Sequence, residues 1–389
     1  MAIIEVRSPQ HAQAFLDCVD SLYKNHPNYI RPLDNDLASV FDGEKNKFLR
    51  EGGEACRWIF QNSQGETIGR VAAFHHPDLP LRADYPIGGM GFYECIDDDD
   101  VSRQLFDACK NWLAERGFKA MDGPVNFGQR DRFWGLLAEG HDRPPVYGMM
   151  YHPSYYEEHF RNYGFDVFFE QYTYGRELKT DYGKKEAYDI CDRYLNDPRF
   201  HIETASKKNL AKYAEDFRSV YNAAWGGSHE HFKTLSERKA MAIIKSIGPI
   251  MDEDIMIFYY YDKKPISFFI AIPDINRIIH DFKGKFGLWQ KVKFMWRLKT
   301  GGTRQILGMV YGVVPEFQGK DVEGVVMITA KDRSLATGRY DYIEMNWVGD
   351  FNPKMISKVT NADSVKIKTH LTMRYIWDED IEFERHPII

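Results

Sequence analysis

Residues 56–76, CRWIFQNSQGETIGRVAAFHH, carry two apolar runs on either side of Gln64-Gly65, a pattern that predicts two strands around a tight turn. GFYEC at 91–95 reads as a third strand. DDDDVSRQLFDACKNWLAERG at 97–117 has the clearest helical period in the chain. Its apolar residues recur at Val101, Leu105, Phe106, Ala108, Cys109, Trp112 and Leu113, and Gly117 closes it. The aspartates at its start suit the positive end of a helix dipole. AMDGPVNF (120–127) returns as a strand, YHPSYYEEHFRNYGF (151–165) predicts a short amphipathic helix ending at Gly164, and DVFFEQYTYGREL (166–178) another strand.

The order then repeats. A strand at 200–206, a helix over 209–225 and a strand pair at 254–274 turning at Asp262–Lys264 come first. A strand at 304–314, a helix from about Val322 to Gly338, a strand at 340–348, a short helix at 352–362 and a last strand at 365–377 complete it. Apolar periodicity weakens between 178 and 200. Two copies of one α+β unit, 1–178 and 179–389, account for the pattern.

Composition narrows the class. The chain has 389 residues, 43% hydrophobic and 28% charged, which suits a globular protein of two cores. A formal charge of −6 argues against a general nucleic-acid binder, and no nucleic-acid partner is expected. Five scattered cysteines without a CxxC pair point to reduced thiols. Glu5 and Arg7 come too early for a secretory leader, and no apolar window approaches a spanning length, so a cytoplasmic location is expected. The pair His75-His76 and the HEH at 229–231 lack companion ligands, and no metal is expected.

The stretch with most chemical content is GVVPEFQGKDVEGVVMITA, 312–330. An apolar strand stops at Pro315, and a short loop enters a helix, an arrangement that presents backbone N–H groups to an anion. At VVPEFQGKDVEGVVM the second half resembles the GNAT family of N-acyltransferases. Their signature is an Arg or Gln, two residues, a Gly, one residue, then Gly or Ala. Gln318, Gly319 and Lys320 match its start; Asp321 and Glu323 stand at the signature glycines, and Gly324 comes one place late. YIEMNWVGDFNPKM is similar to the family's fifth strand and the Asn-bearing helix after it. The first half, through DGPVNFGQRDRFWGLLAEGHDRPPVYGMMYHPSYYEEHFRNYGF, is similar to uncharacterised bacterial proteins with two fused GNAT-like units.

The resemblance implies two tandem GNAT-like α+β units, each a mixed, mostly antiparallel sheet flanked by helices. It implies acetyl-CoA or another acyl-CoA in a V-shaped opening between the fourth and fifth strands of the second unit. Pantetheine would pair near Val313 and Val314, and the pyrophosphate would rest on amides from Gln318, Gly319, Lys320 and Asp321 to Gly324. The reaction implied is acyl transfer to an amine, either a small molecule or a lipid-like acceptor. Asn352 corresponds to the family's helix Asn and is equally an N-cap ahead of Pro353. Glu344 and Tyr311 are the candidate acid–base groups, although a core-edge glutamate also commonly pairs with a lysine. Asp321 leaves two readings of the helix start, a diphosphate seat or a helix capped by its own carboxylate.

The matching loop of the first half, CIDDDDV, puts four carboxylates where a diphosphate would sit, so that unit is expected to hold no cofactor. The loop-rich segment 122–147, with Asn126, Arg130 and Glu139, reads either as an acceptor-binding surface or as a strut between units. Residues 276–304 carry eight Lys or Arg against one acid, interleaved with aromatic residues. They read as a lid or packing helix, or as a peripheral membrane contact. Two other functions compete. One is a scaffold or ligand-binding protein that has kept the fold and lost the CoA. The other is a transferase drawing on an aminoacyl-tRNA or lipid donor.

Overall fold

A computed structural model describes residues 1–76, 84–128, 130, 132–178, 185–226 and 234–389. Its strands are β1 (Ala2–Glu5), β2 (Glu54–Gln61), β3 (Thr67–His75), β4 (Ile87–Cys95), β5 (Ala120–Gly123), β6 (Leu136–Glu139), β7 (Asp166–Glu177), β8 (Phe200–Thr204), β9 (Met256–Tyr261), β10 (Lys264–Pro273), β11 (Gln305–Val313), β12 (Tyr342–Gly349) and β13 (Val365–Ile376). The helices are α1 (Pro9–Leu22), α2 (Asp34–Val40), α3 (Lys47–Arg50), α4 (Asp99–Ala114), α5 (Tyr156–Tyr163), α6 (Lys185–Leu195), α7 (Leu210–Gly226), α8 (Glu237–Ile247), α9 (Ile275–Ile279), α10 (Leu288–Lys299), α11 (Val322–Ala336) and α12 (Pro353–Asn361).

The strands form one continuous sheet in the order β1-β2-β3-β4-β5-β13-β7-β12-β11-β10-β9-β8, with β6 on β13. Pairing is antiparallel except at β4–β5 and β11–β12, which occupy equivalent places in the two halves. The last strand of each half is exchanged: β7 lies beside β12 of the second half, and β13 lies beside β5 of the first. The two exchanged strands pair with each other along almost their whole length. Each half of the sheet has a core on both faces. Val101, Leu105 and Phe106 of α4 cover one side of the first half, and Phe15 of α1 lies on the other. In the second half Val322, Val325 and Val326 of α11 oppose Tyr213 and Phe217 of α7.

Most predicted elements form as their patterns require. Gly65 (φ +80°) turns the β2–β3 hairpin, and Asp262 and Lys263, both left-handed, turn β9 into β10. The strand predicted over 120–127 ends at Gly123. Pro124 has no N–H for a ladder, and the chain leaves the sheet there. The expected boundary passes through residues 179–184, which lie outside the described set, as does the HEH at 229–231.

Candidate functional site

The cleft arises from the way β11 and β12 part. They are paired in parallel only over 305–308 and 342–345. Beyond that, β11 stays with β10 as far as Val313, while β12 stays with β7. Val314 donates its N–H to Ile266 O at 2.9 Å. Antiparallel alternation then turns the amide and carbonyl of Val313 to the opposite edge, toward the opening.

A cleft of about 340 Å³ fills this opening, lined by Trp225, Tyr311, Gly312, Val313, Gln318, Asn352, Lys354, Met355 and Lys358, with Ile389 at its edge. Trp225 reaches in from the end of α7, stacked on Tyr221 at 4.7 Å between ring centroids. It can lie against the strand because position 312 has no side chain: a Cβ there would meet Trp225 Cζ3 at 2.8 Å. Gln318 folds back so that Nε2 donates to Val313 O at 2.9 Å, leaving the Val313 N–H as the free backbone group.

The helix start gives the sharper result. Asp321 occupies the N-cap position of α11 in a left-handed conformation (φ +63°), and its side chain accepts no capping bond. Asp tolerates this region better than most residues. The first helical bond runs from Val325 N–H to Asp321 O at 3.2 Å. The N–H groups of Val322, Glu323 and Gly324 therefore have no partner among the described residues. A Cβ at Gly324 would meet nothing within 4 Å, so the approach to those amides is open. Across the cleft, Lys358 of α12 donates to Glu323 Oε1 at 3.3 Å, and Lys354 stands one turn earlier.

The first half does the opposite at each point. Asp98 caps α4 with its side chain, accepting from the N–H groups of Asp100 and Val101 at 3.0 Å each. The parting of β4 and β5 is filled by the chain after Pro124. Val125 donates to Met90 O at 2.8 Å, and a Cβ on Gly91 would lie 1.9 Å from Val125 O. One half thus has an open notch with free amides and the other a sealed notch with occupied ones.

Tyr311 points into the open cleft, and its hydroxyl has no hydrogen-bond partner among the described residues. Burial, and then the charge of Glu323, push that hydroxyl up to about 12, so it keeps its proton at neutral pH. Asn352 serves as the N-cap of α12, its Oδ1 accepting from Met355 N–H at 3.0 Å, while the residue also lines the cleft.

The structure brings Tyr311, Val313, Gln318 and Asn352 together. Gly319 (φ +70°) and Lys320 form the loop beside them. Lys320 and Asp321 also line a second groove with Arg193, Tyr194 and Tyr261, where Tyr194 Oη donates to Lys320 O at 2.8 Å. Val314 lies in the wall between the cores on either side of the sheet.

Glu344 does not line the cleft. It is 1% exposed on β12, its carboxylate accepting from Lys368 Nζ of β13 at 2.6 Å. Beside it Asp274, also buried, receives the Asn276 N–H at 3.1 Å and lies 3.6 Å from Arg277. Burial first, and then the charge of Glu344, raise the Asp274 carboxyl to about 7. Asn126 is buried in the segment that seals the first-half notch. Arg130 lies over the Trp134 ring at 5.6 Å, and Glu139 is an exposed β6 residue paired with Lys366 at 2.7 Å. None of these three lines the second-half cleft.

Trp225, Lys354 and Lys358 went unremarked in the sequence. The two lysines four residues apart after a helix-starting Asn-Pro carry a readable signal, because that spacing puts them on one face. Trp225 carries none, since a tryptophan ending an amphipathic period reads as core. Among the described residues no group of three or more metal-ligating side chains occurs, and no helix is long and apolar enough to cross a membrane.

No family model matches the chain. It is 25% identical over 352 residues to protein YghO of Escherichia coli (strain K12), spanning 88% of this chain and 87% of that protein. It is 23% identical over 378 residues to the bacterial ceramide synthase of Caulobacter vibrioides, spanning 95% and 96%. Among solved structures it superposes on a tandem GNAT protein from the clavulanic acid biosynthesis pathway with a TM-score of 0.53 and 9% identity, covering 96% of this chain and 98% of that one. A GCN5-related N-acetyltransferase from Sphaerobacter thermophilus gives 0.52, with 10% identity and coverage of 96% and 95%. The fold is that of the GNAT-type N-acyltransferases. Its tandem form matches the first of these structures across nearly the whole of both chains.

Proposed function

We propose that the protein transfers an acyl group from acyl-CoA to an amine, with the CoA held in the second-half cleft. One observation carries this reading: the start of α11 leaves three amides unclaimed at the mouth of a strand opening, although an aspartate stands in the capping position. Those amides, the positive end of the helix dipole, and Lys354 and Lys358 suit a diphosphate. The Val313 N–H suits an extended amide chain lying alongside the strand. The cleft volume falls within the range for small-molecule sites.

Bound acyl-CoA would supply an activated thioester. The chain's own part is to orient it and to hold a proton. Tyr311 keeps its proton inside the cleft and would be the group to protonate a departing thiolate. Asn352 is fixed by its capping bond so that its amide nitrogen remains available to the cleft. The similarity to a ceramide synthase along 95% of this chain and 96% of that protein favours a long-chain, lipid-like amine as acceptor.

The test is calorimetry of the full chain with CoA, acetyl-CoA and a long-chain acyl-CoA. Saturable heat with at least one acyl-CoA is expected, weakened roughly tenfold or more when Lys354 and Lys358 are both changed to Glu. No heat with any of the three ligands overturns the reading.

A further inference from the structure

We propose that α10 is a docking surface for an anionic lipid bilayer. The helix is amphipathic in the reverse of the usual sense. Phe294 and Leu298 face inward, onto Ile278, Phe282 and Phe286 of the preceding segment and Leu33 of the first half. Leu288, Trp289, Val292, Met295 and Trp296 face outward, with Trp289 at 80% exposure, Leu288 at 76% and Trp296 at 63%. At about 100° per residue these five occupy one arc of roughly 120°. A contiguous exposed stripe with two tryptophans is far from the scattered apolar residues of an ordinary surface.

Its charges select the occupant. Lys293 and Arg297 are tied to Asp281, and Lys285 to Asp34. Lys283, Lys291 and Lys299 are exposed and have no ion-pair partner among the described residues. Lys291 borders the stripe and Lys299 lies within it. A protein of net charge −6 therefore presents a local basic, apolar face. Two copies meeting through this face would set the lysines of one against those of the other. An anionic bilayer neutralises them and takes the tryptophans at its interface. Arg297 ties the helix to the preceding segment, bonding Ile278 O at 2.6 Å and Asp281 at 2.7 Å, and that segment is tied to the first half. Lys285 bonds Asp34 at 2.8 Å, Asp34 N–H bonds Gly284 O at 2.8 Å, and Asn276 Nδ2 donates to Pro145 O at 2.9 Å. The cleft lining includes no residue of this segment, so α10 leaves the cleft uncovered.

This inference does not depend on acyl transfer, and it is tested without acyl-CoA. The full chain is floated with vesicles of phosphatidylcholine alone and of phosphatidylcholine mixed with phosphatidylglycerol. Flotation with the mixed vesicles that weakens as salt rises is the expected result. Trp289→Ser with Trp296→Ser is expected to lower partitioning at least tenfold. Lys291→Gln with Lys299→Gln is expected to lower it roughly thirtyfold. All four positions are exposed, and an unchanged melting temperature would confirm that the variants fold. Absence of wild-type flotation, or equal flotation of the variants, overturns the proposal. So does a concentration-dependent dimer, seen by light scattering, that the tryptophan variant abolishes.

Discussion

At position 312 an added Cβ would press on Trp225, a wall of the cleft, at 2.8 Å and on Phe268 of the core behind it at 3.2 Å. Neither ring can simply swing away: Trp225 is stacked on Tyr221, and Phe268 is fully buried. Gly312→Ala is therefore expected to cost about 1–3 kcal/mol of stability in denaturant unfolding and to weaken acyl-CoA binding in the same preparation. Gly324→Ala makes the contrasting case. Its Cβ meets nothing within 4 Å, and in a helix it gains up to about 1 kcal/mol. It should leave unfolding unimpaired while crowding the free amides, so a loss of ligand heat without a loss of stability is expected. Equal effects of the two substitutions on stability would show that the Trp225 wall is soft.

The two helix starts separate at the scale of the element. Asp98 caps α4 and Asp321 leaves α11 uncapped, although both stand before an apolar helical period with acids around them. Asp98→Ala should cost about 1 kcal/mol through the lost cap. Asp321→Asn should be nearly neutral for stability, because Asn also tolerates the left-handed backbone, and should strengthen anion binding by removing a charge. A drop in stability with Asp321→Asn comparable to that of Asp98→Ala would contradict the uncapped geometry. The sequence made the presence of both loops plain, because apolar period and terminating glycines are local. It could not say which aspartate caps, since that depends on a φ set by how each loop leaves its strand. The same limit explains β5, whose apolar run continues past Gly123 although the chain turns away at Pro124 and re-pairs at Val125. It explains α10 too: residues 288–299 read as amphipathic, but the pattern does not say which face meets the core. Glu344 was legible as a carboxylate on a strand. Its partner Lys368 was not, because the exchange of β7 and β13 that brings them together is a property of the whole sheet.

That exchange makes the halves interdependent, and it bears on two buried carboxyls, one that feels the Glu344–Lys368 pair and one bonded directly to β13. Asp274 is the first. Its folded pKa of about 7 lies above the ordinary 3.8, so its contribution to stability is full below 3.8 and is lost as pH rises through 7. His370 runs the other way, held down to about 4 by burial, and its contribution is lost as pH falls from 6.5 through 4. Asp274→Asn fixes the neutral form and keeps the capping oxygen. Relative to wild type it should gain up to about 4 kcal/mol between pH 4 and pH 8, measured by denaturant unfolding at each pH. A constant difference across that range would place the carboxyl in an ordinary environment.

Asp122 on β5 is the second group, and it gives the stronger test of how the molecule is built. Its partner is Arg374 on β13, with Nε and Nη2 at 2.7 and 3.0 Å, both residues nearly inaccessible. A polypeptide ending at residue 178 has the strands β1 to β5 but lacks the strand that belongs beside β5. It retains Asp122 without Arg374, the cation hydrogen-bonded to it, and leaves Met121 and Leu136 without the cover of Met373 and Leu371. Removing one partner of a buried pair alone costs about 3–5 kcal/mol, a large share of a domain's stability. The fragment 1–178 is therefore expected to be poorly folded, with weak near-ultraviolet dichroism and unprotected amides. Co-expression with 179–389 should restore a folded complex, because the two exchanged strands supply what each piece lacks. The intact chain should unfold in one transition seen alike by tryptophan fluorescence and far-ultraviolet dichroism. A fragment 1–178 that folds alone with a cooperative melt would show that the first half does not need β13.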